Sequence, residues 1–265
     1  MLARANPMTR AFGQSETGRR RRNEDSFAVR TDLGLFVVAD GMGGHAGGNV
    51  ASRLVVDTLE RFFDQLGDGD LGFDTKGLAT SVAGSSGSQA NSTIAEQRVD
   101  LAIRMCKREV ERRAVGDLAP MGTTLVTVLV REGRAILAHV GDSRVYRLRD
   151  GHIEQMTRDH SLCAELEAAG GHDLAKRLTG PFTAMVTRSI AAYSNAKPDI
   201  RIEQVRPGDR YLLCTDGLSG ALEDDAIAQV MRSCEDPQEA SCLLVQRAYA
   251  AGSMDNITAV VVDPE

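Results

Sequence analysis

Acidic residues stand where apolar runs begin or end in this chain. Leu35–Ala39 runs into Asp40-Gly41, Ala135–Val140 into Gly141-Asp142, Tyr211–Thr215 into Asp216-Gly217, and Asp255-Asn256 directly precedes Ile257–Val262. Short apolar runs rich in β-branched residues read as buried strands, so these acids mark strand ends. Carboxylates that converge on one sheet edge repel each other unless cations lie between them. A donor set made only of oxygens suits hard divalent ions. One Asp-Gly after a strand is ordinarily just a turn. Four such sites are harder to assign to turns alone.

The elements that must carry these acids follow from periodicity. Residues 25–31 and 34–39 read as two strands around the turn Thr31-Asp32-Leu33-Gly34. Ala51, Leu54, Val55, Thr58, Leu59, Phe62 and Phe63 recur at spacings of three and four, which makes one apolar helix face. A second helix is expected over about 93–114, with Ile94, Leu101, Met105 and Val110 facing inward. Strands follow at 124–131, 134–139, 144–149 and 152–156, with Glu132-Gly133 and Asp150-Gly151 as hairpin turns. Another strand covers 210–215, helices cover 222–231 and 237–251, and a strand closes the chain at 257–262. Residues 1 to about 12 read as a loose leader. Residues 67–92 read as a surface loop or insertion with Gly84-Ser85-Ser86-Gly87-Ser88 at its tip. Residues 158–198 carry little pattern. Strands grouped in hairpins and helices in pairs point to an α+β fold, not to a βαβ alternation.

Composition narrows the functional class. The chain has 265 residues, 42% of them apolar, which supports a sizeable core. A formal net charge of −6 argues against a general nucleic-acid binder. Four Tyr, seven Phe and no Trp leave little for base stacking. The five cysteines form no CxxC pair and no zinc spacing, which reads as reduced thiols in a cytosolic protein. Cys214 sits inside an apolar run and reads as a small core residue. No run reaches the roughly 18 apolar residues of a membrane span, so a soluble, cytoplasmic protein is expected. Gly43, Gly44, Gly47 and Gly48 do not form a phosphate loop, because no Lys-Ser/Thr follows at the right spacing.

Seven segments taken in order carry a resemblance. They are Arg20 with Asn23-Glu24-Asp25-Ser26; Val37-Val38-Ala39-Asp40-Gly41-Met42-Gly43-Gly44; Gly122-Thr123-Thr124; His139-Val140-Gly141-Asp142-Ser143-Arg144; Thr157-Arg158-Asp159-His160-Ser161; Cys214-Thr215-Asp216-Gly217-Leu218; and Asp255-Asn256-Ile257-Thr258. Each alone is weak, but the ordered set, spanning residues 20 to 258, resembles the metal-dependent Ser/Thr protein phosphatases of the type-2C family in its bacterial form. The resemblance implies a sandwich of two antiparallel β-sheets flanked by helix pairs. It implies a single catalytic domain over 1–265, with a core at about 12–263 and a flap subdomain at about 158–198.

It also implies roles for residues. Asp40 would bridge two ions, with the Gly41 carbonyl on one of them. Asp216 and Asp255 would complete the first ion's shell, and Glu24 would hold the second. Asp142 with Asp216 would hold a third, weaker ion. Asp25 and Asn256 would support the site. The ions implied are Mn²⁺ or Mg²⁺. Two ions about 3.5–4 Å apart can share a water and lower its pKa, so the implied reaction is hydrolysis of phosphoserine and phosphothreonine in proteins by a metal-activated water. Arg20, four residues before Glu24 as in the family, would bind phosphate oxygens with its planar fork. Arg19, Arg21 and Arg22 read as a solvated basic stretch that could draw in an anionic peptide.

Met42 stands where animal relatives have a histidine, and Met cannot donate a proton. A metal-bound water, His160 or His45 are the candidates for protonating the leaving oxygen; an ordinary hydrogen-bonded or surface role is the plain reading of each histidine. His139, Ser143 and Ser161 read as structural. In the flap, Thr187-Arg188-Ser189-Ile190 resembles the family, whereas Ala191-Ala192-Tyr193-Ser194 replaces the glycine usual nearby, which bears on substrate handling. The partners implied are phosphorylated proteins and a cognate Ser/Thr kinase, with no nucleic acid, no membrane span and a monomeric state. One alternative is a binding module, a pseudophosphatase that keeps the fold without turnover; every core acidic position is filled, which weighs against it. Another is a phosphoesterase acting on nucleotides or nucleic acids.

Overall fold

The computed structural model describes residues 9–43, 47–66, 93–178, 182 and 185–264. The loop assigned to 67–92, His45 and the first eight residues of the expected leader lie outside the described residues.

The chain opens with β1 (Arg10–Glu16), the hairpin β2 (Ser26–Arg30) and β3 (Leu35–Ala39), the short β4 (Gly41–Met42) and helix α1 (Gly47–Leu66). Helix α2 (Ile94–Arg113) leads into β5 (Gly122–Thr123), β6 (Leu125–Arg131), β7 (Arg134–Val140), β8 (Arg144–Arg149) and β9 (His152–Gln155). Two short helices, α3 (Leu162–Ala168) and α4 (His172–Ala175), precede β10 (Ile190–Ala191), β11 (Asp199–Gln204) and β12 (Arg210–Cys214). The chain closes with α5 (Asp216–Ser219), α6 (Asp224–Ser233), α7 (Pro237–Ala250) and β13 (Ile257–Asp263).

Two antiparallel sheets, ordered β1-β13-β12-β8-β9 and β11-β7-β6-β3-β2, pack face to face. A small ribbon, β10-β5-β4, sits beside them. Strand alternation explains why the runs are apolar throughout. Phe36 and Val38 of β3 meet Val145, Leu213 and Val260 between the sheets, while Leu35, Val37 and Ala39 face the layer of α1 and α2. Leu212, Cys214, Ala259 and Val261 likewise turn outward onto α6 and α7. Both faces of each central strand are buried, so no polar alternation appears in the sequence. The arrangement is an α+β sandwich with a helix pair on each outer face. Glu132 and Asp150 both take φ of 50, each followed by a glycine of positive φ, which gives turns with the twist that tight hairpins require.

Three readings are corrected here. The expected leader, residues 1 to about 12, runs into an ordered strand: β1 starts at Arg10 and pairs along its length with β13. Its small and polar residues hide it, since it is an edge strand and half-buried. In α2, Ile94, Leu101 and Met105 face outward, at 45%, 45% and 41% exposure, and only Val110 of the expected set is buried. The inward face is Ala95, Val99, Ala102, Ile103, Cys106 and Val110. Ala95, Ala102 and Cys106 each follow Ile94, Leu101 and Met105 by one position, so the face packed on α1 is turned by one residue from the expected one. Finally, β11 was not foreseen; Asp199–Gln204 mixes exposed and half-buried positions and pairs with β7 at the sheet edge.

Candidate metal centre

Strand direction gathers the acids. The end of β3 and the start of β6 lie side by side, as do the start of β6 and the end of β7, because Val38 pairs with Val126 and Leu125 with Val140. In the other sheet, Cys214 at the end of β12 pairs with Arg144 at the start of β8 and with Ala259 near the start of β13. The loop 17–25 crosses from β1 to β2 and carries Arg20, Glu24 and Asp25. The turn 141–143 crosses from β7 to β8 and carries Asp142. All these connections lie at one edge of the sandwich. Glu24, Asp40, Gly41, Asp142, Asp216 and Asp255 line one cleft there, with a volume of about 800 Å³.

Backbone clamps hold each acid in place. The Asp40 N–H donates to Thr124 Oγ1 at 3.0 Å, and its carbonyl accepts from the Thr124 N–H at 2.9 Å and from the Thr123 hydroxyl at 2.8 Å. Thr124 is itself in hydroxyl contact with Ser143 at 2.7 Å, which ties the Asp40 turn to the Asp142 turn. Gly41 lies so close to its neighbours that a Cβ there would stand 2.4 Å from the Glu24 carbonyl oxygen. Only glycine allows that approach. The Ser253 hydroxyl donates to the Gly217 carbonyl at 2.8 Å, fastening the turn before Asp255 to α5, which opens with Asp216. Asn256 joins the opening loop to the same turn: its Nδ2 donates to the carbonyls of Thr17 and Arg22 at 2.9 and 2.8 Å, and its Oδ1 accepts from the Glu24 N–H at 2.9 Å.

The electrostatics are those of a site made for cations. Burial, then the charges of Asp25, Asp216, Asp142 and Asp255, holds the Asp40 carboxyl well above the usual carboxylate range. Burial and then Asp216 push Asp142 up to about 7. Burial and the Asp255 charge also raise Asp216, although a hydrogen bond with the Asp40 carboxyl pulls back. Asp25 is raised chiefly by burial, against hydrogen bonds from Thr258 and Thr215. Asp25 Oδ1 and Asp216 Oδ1 are buried without a hydrogen-bond partner. Orphaned buried carboxylate oxygens are costly unless a further group satisfies them. An all-oxygen donor set with unspent lone pairs fits Mg²⁺ or Mn²⁺.

The described histidines are elsewhere. His160 is buried; the Gly141 N–H donates to its Nδ1 at 3.1 Å and its own N–H donates to the Gly141 carbonyl at 2.9 Å. Its ring stacks on His139 at 4.4 Å, and His139 Nε2 lies 2.8 Å from the Arg158 carbonyl oxygen. His160 is absent from the cleft lining, so it does not stand as the acid for the leaving oxygen. His139, His160 and Asp199 cluster closely enough for a metal. However, the His160 Nδ1 lone pair already accepts from Gly141, and the Arg188 guanidinium lies 3.1 Å from His160 Nε2 and 2.8 Å from Asp199. That cation fills the place an ion would take.

Arg20 reaches Asp255 at 2.6 Å and lines the cleft. Arg21 and Arg22 line it too while both stay exposed, which agrees with the reading of a solvated stretch. Arg19 instead turns to Met254 Sδ at 3.7 Å. Ser161 caps α3 and Ser143 braces Thr124, both structural as expected. The residues that sequence reasoning passed over are the hydroxyls of Thr124, Thr215 and Thr258. Each stood within a quoted segment, but a threonine beside an acid carries no signal of which atom it will clamp.

A family model described as protein phosphatase 2C matches residues 12–246. The serine/threonine protein phosphatase PstP of Mycobacterium tuberculosis is 36% identical over 263 residues, covering 99% of this chain; the chain spans 46% of that protein's length. The serine/threonine phosphatase stp of Listeria monocytogenes is 28% identical over 260 residues, with 94% of each chain covered. Among solved structures, the catalytic domain of PstP in complex with two manganese ions superposes with a TM-score of 0.77 at 32% identity, covering 96% of this chain and 97% of that one. The ordered segments, the two-sheet sandwich and the acid-lined edge thus have one common explanation: this chain belongs to the protein phosphatase 2C family.

Proposed function

We propose that this chain hydrolyses phosphoserine and phosphothreonine esters in proteins, with Mn²⁺ or Mg²⁺ as cofactor. The observation that carries the proposal is the convergence of Glu24, Asp40, Gly41, Asp142, Asp216 and Asp255 on one cleft, where Asp216 Oδ1 is buried without a hydrogen-bond partner. The names of the relatives and the manganese in the PstP structure support it. Asp40, Asp216, Asp255, Glu24 and the Gly41 carbonyl would hold two ions, and Asp142 with Asp216 a weaker third. When bound, such ions lower the pKa of a water and offset charge on the phosphoryl oxygens.

The chain's own residues do the rest. Arg20 is aimed by Asp255 and offers its remaining N–H groups to phosphoryl oxygens; a fixed guanidinium fork costs little reorganisation as charge develops there. Asp25 and Asn256 stand behind the acids, Asp25 held by two threonine hydroxyls and Asn256 bracing the loop that bears Glu24. Met42 and Val186 give the cleft apolar walls against which the rest of a substrate side chain can lie. None of the described lining residues is a histidine, and His45 lies outside the described residues, so the proton for the leaving serine or threonine oxygen comes from water or from His45. No protein nucleophile is needed.

The role is reversal of Ser/Thr kinase signalling by a monomeric enzyme in the cytoplasm. No helix among the described residues is long and apolar enough to cross a membrane. A panel of phosphoserine and phosphothreonine peptides set against nucleotides tests the assignment. A wide preference for the peptides is expected; a wide preference for nucleotides would overturn it.

A further inference from the structure

Three consecutive arginines line the cleft, and the loop that carries them is built to present them. Consecutive residues on an extended chain point to opposite sides. Here the chain turns instead: the Arg20 N–H donates to the Thr17 carbonyl at 3.3 Å, and Gly18 takes a φ of 61. A Cβ at Gly18 would stand 2.1 Å from the Asp255 carbonyl oxygen, so the loop lies flat on the turn that bears Asp255. The Asn256 amide then pins both ends of the loop, at the carbonyls of Thr17 and Arg22. The backbone that carries Arg20, Arg21 and Arg22 is thereby fixed, and all three residues line the cleft.

The three differ in what they face. Arg20 is engaged by Asp255 at 2.6 Å. Arg21 is exposed and has no hydrogen-bond or ion-pair partner among the described residues. The five carboxylates of the lining, Glu24, Asp40, Asp142, Asp216 and Asp255, dominate the field of the bare cleft. Divalent ions on those carboxylates offset most of that charge, and the field at the rim is then set by the guanidinium groups.

We propose that Arg21, flanked by Arg22, is a second anion contact that reads an anionic side chain next to the target phosphoresidue. This inference rests on the phosphatase reading. Its ligand class is a peptide with a carboxylate or a second phosphate beside the phosphoserine or phosphothreonine. Both are oxyanions that a guanidinium can grip with two parallel hydrogen bonds. Because Arg21 is exposed, the contact acts through partial desolvation and long-range attraction, so it gives a selectivity of several-fold, not an absolute requirement.

The test uses the intact chain with Mn²⁺ and a set of phosphothreonine peptides of one length. One has neutral neighbours, one set carries aspartate, and one set carries a second phosphothreonine, at each of the two positions on either side. The readout is the ratio of kcat/KM for each anionic peptide to that for the neutral one. Wild type is expected to favour at least one anionic position by about fivefold at low salt, with the advantage shrinking as ionic strength rises. Arg21→Ala should bring that ratio close to one, and Arg21→Glu should turn it below one. The aspartate and phosphothreonine arms decide whether a carboxylate suffices or a phosphate is required. A wild-type ratio near one at all positions, or a ratio unchanged by both substitutions, overturns the inference while leaving the phosphatase reading intact. Absence of turnover on every peptide and on p-nitrophenyl phosphate overturns both.

Discussion

The Thr258 hydroxyl donates to Asp25 Oδ2 at 2.7 Å, while Oδ1 of the same carboxylate is buried without a partner. Thr215 donates to the same Oδ2 at 3.0 Å. Both hydroxyls thus spend themselves on one oxygen and leave the other bare, while burial and then the charges of Asp216 and Asp255 raise the Asp25 carboxyl. A carboxylate held in this way is arranged for a cation and for the water around it.

Asp25→Asn tests that arrangement. An amide oxygen can still accept from Thr215 and Thr258, so the fold should persist, but the charge is gone. Ligand at roughly 100 times its Kd stabilises a folded protein by about 2.7 kcal/mol, which for a chain of this size corresponds to a Tm rise of about 5–10 °C. Wild type should show a rise of that order with Mn²⁺. In Asp25→Asn the rise should fall by about half or more. An undiminished rise, read by thermal melts with and without Mn²⁺, would remove Asp25 from the supporting role.

The raised carboxyls give a pH dependence with a definite sign. An unfolded aspartate titrates near 3.9. In the folded, metal-free chain Asp142 is pushed up to about 7, and Asp40 and Asp216 are also raised. Between those limits the folded state binds more protons than the unfolded one, so these groups make stability fall as pH rises from about 4 towards 7. Cations bind the deprotonated form and oppose this loss. The Mn²⁺-induced rise in Tm should therefore be larger at pH 8 than at pH 5.5, and metal binding should release protons. An equal or larger rise at pH 5.5 would contradict the carboxylate cluster as the metal site.

Arg20 should matter for chemistry more than for stability. Its pair with Asp255 is solvent-accessible, at 57% and 34% side-chain exposure, and such pairs contribute less than about 1 kcal/mol. Arg20→Ala should lower kcat/KM on a phosphothreonine peptide by about 10²–10³ while the Mn²⁺-induced rise in Tm survives. A loss of less than about threefold would take Arg20 out of phosphate binding.

His160 should act on Asp142 through the backbone. Its ring nitrogen and its amide bracket Gly141, the residue before Asp142. Groups that orient a metal ligand commonly change metal affinity by about 10–100-fold when removed. His160→Ala should raise the Mn²⁺ concentration for half-maximal activity by about tenfold and weaken Mn²⁺ binding in calorimetry. His160→Asn offers an acceptor for the Gly141 N–H and should recover part of both. Identical metal response in all three proteins would show the contact to be structural only.

Much of this site was legible before any coordinates. Asp40, Asp142, Asp216 and Asp255 announce themselves because a carboxylate at the end of a doubly buried strand is a visible break in an apolar run. Their convergence rests on strand order, which no single run encodes; the resemblance supplied that order. Strand β1 was missed because an edge strand needs only half-burial, and its Gly, Ser and Gln leave no alternation. The inward face of α2 was misread because Ile94, Leu101 and Met105 outweigh by eye the Ala95, Ala102 and Cys106 that each follow them by one position and, with Val99, Ile103 and Val110, make the buried face. The place of Arg21 on the cleft wall was hidden for a third reason. It depends on Asn256, more than 200 residues away in sequence, pinning the loop at both ends.

The most direct test is phosphate release from a phosphothreonine peptide by the metal-stripped chain during a Mn²⁺ titration, with Asp40→Ala beside wild type. Wild type should be silent in EDTA and gain turnover as Mn²⁺ is added; Asp40→Ala should stay silent and lose the Mn²⁺-induced rise in Tm. Turnover that ignores EDTA, or wild-type turnover in Asp40→Ala, would contradict a metal-dependent site built on Asp40.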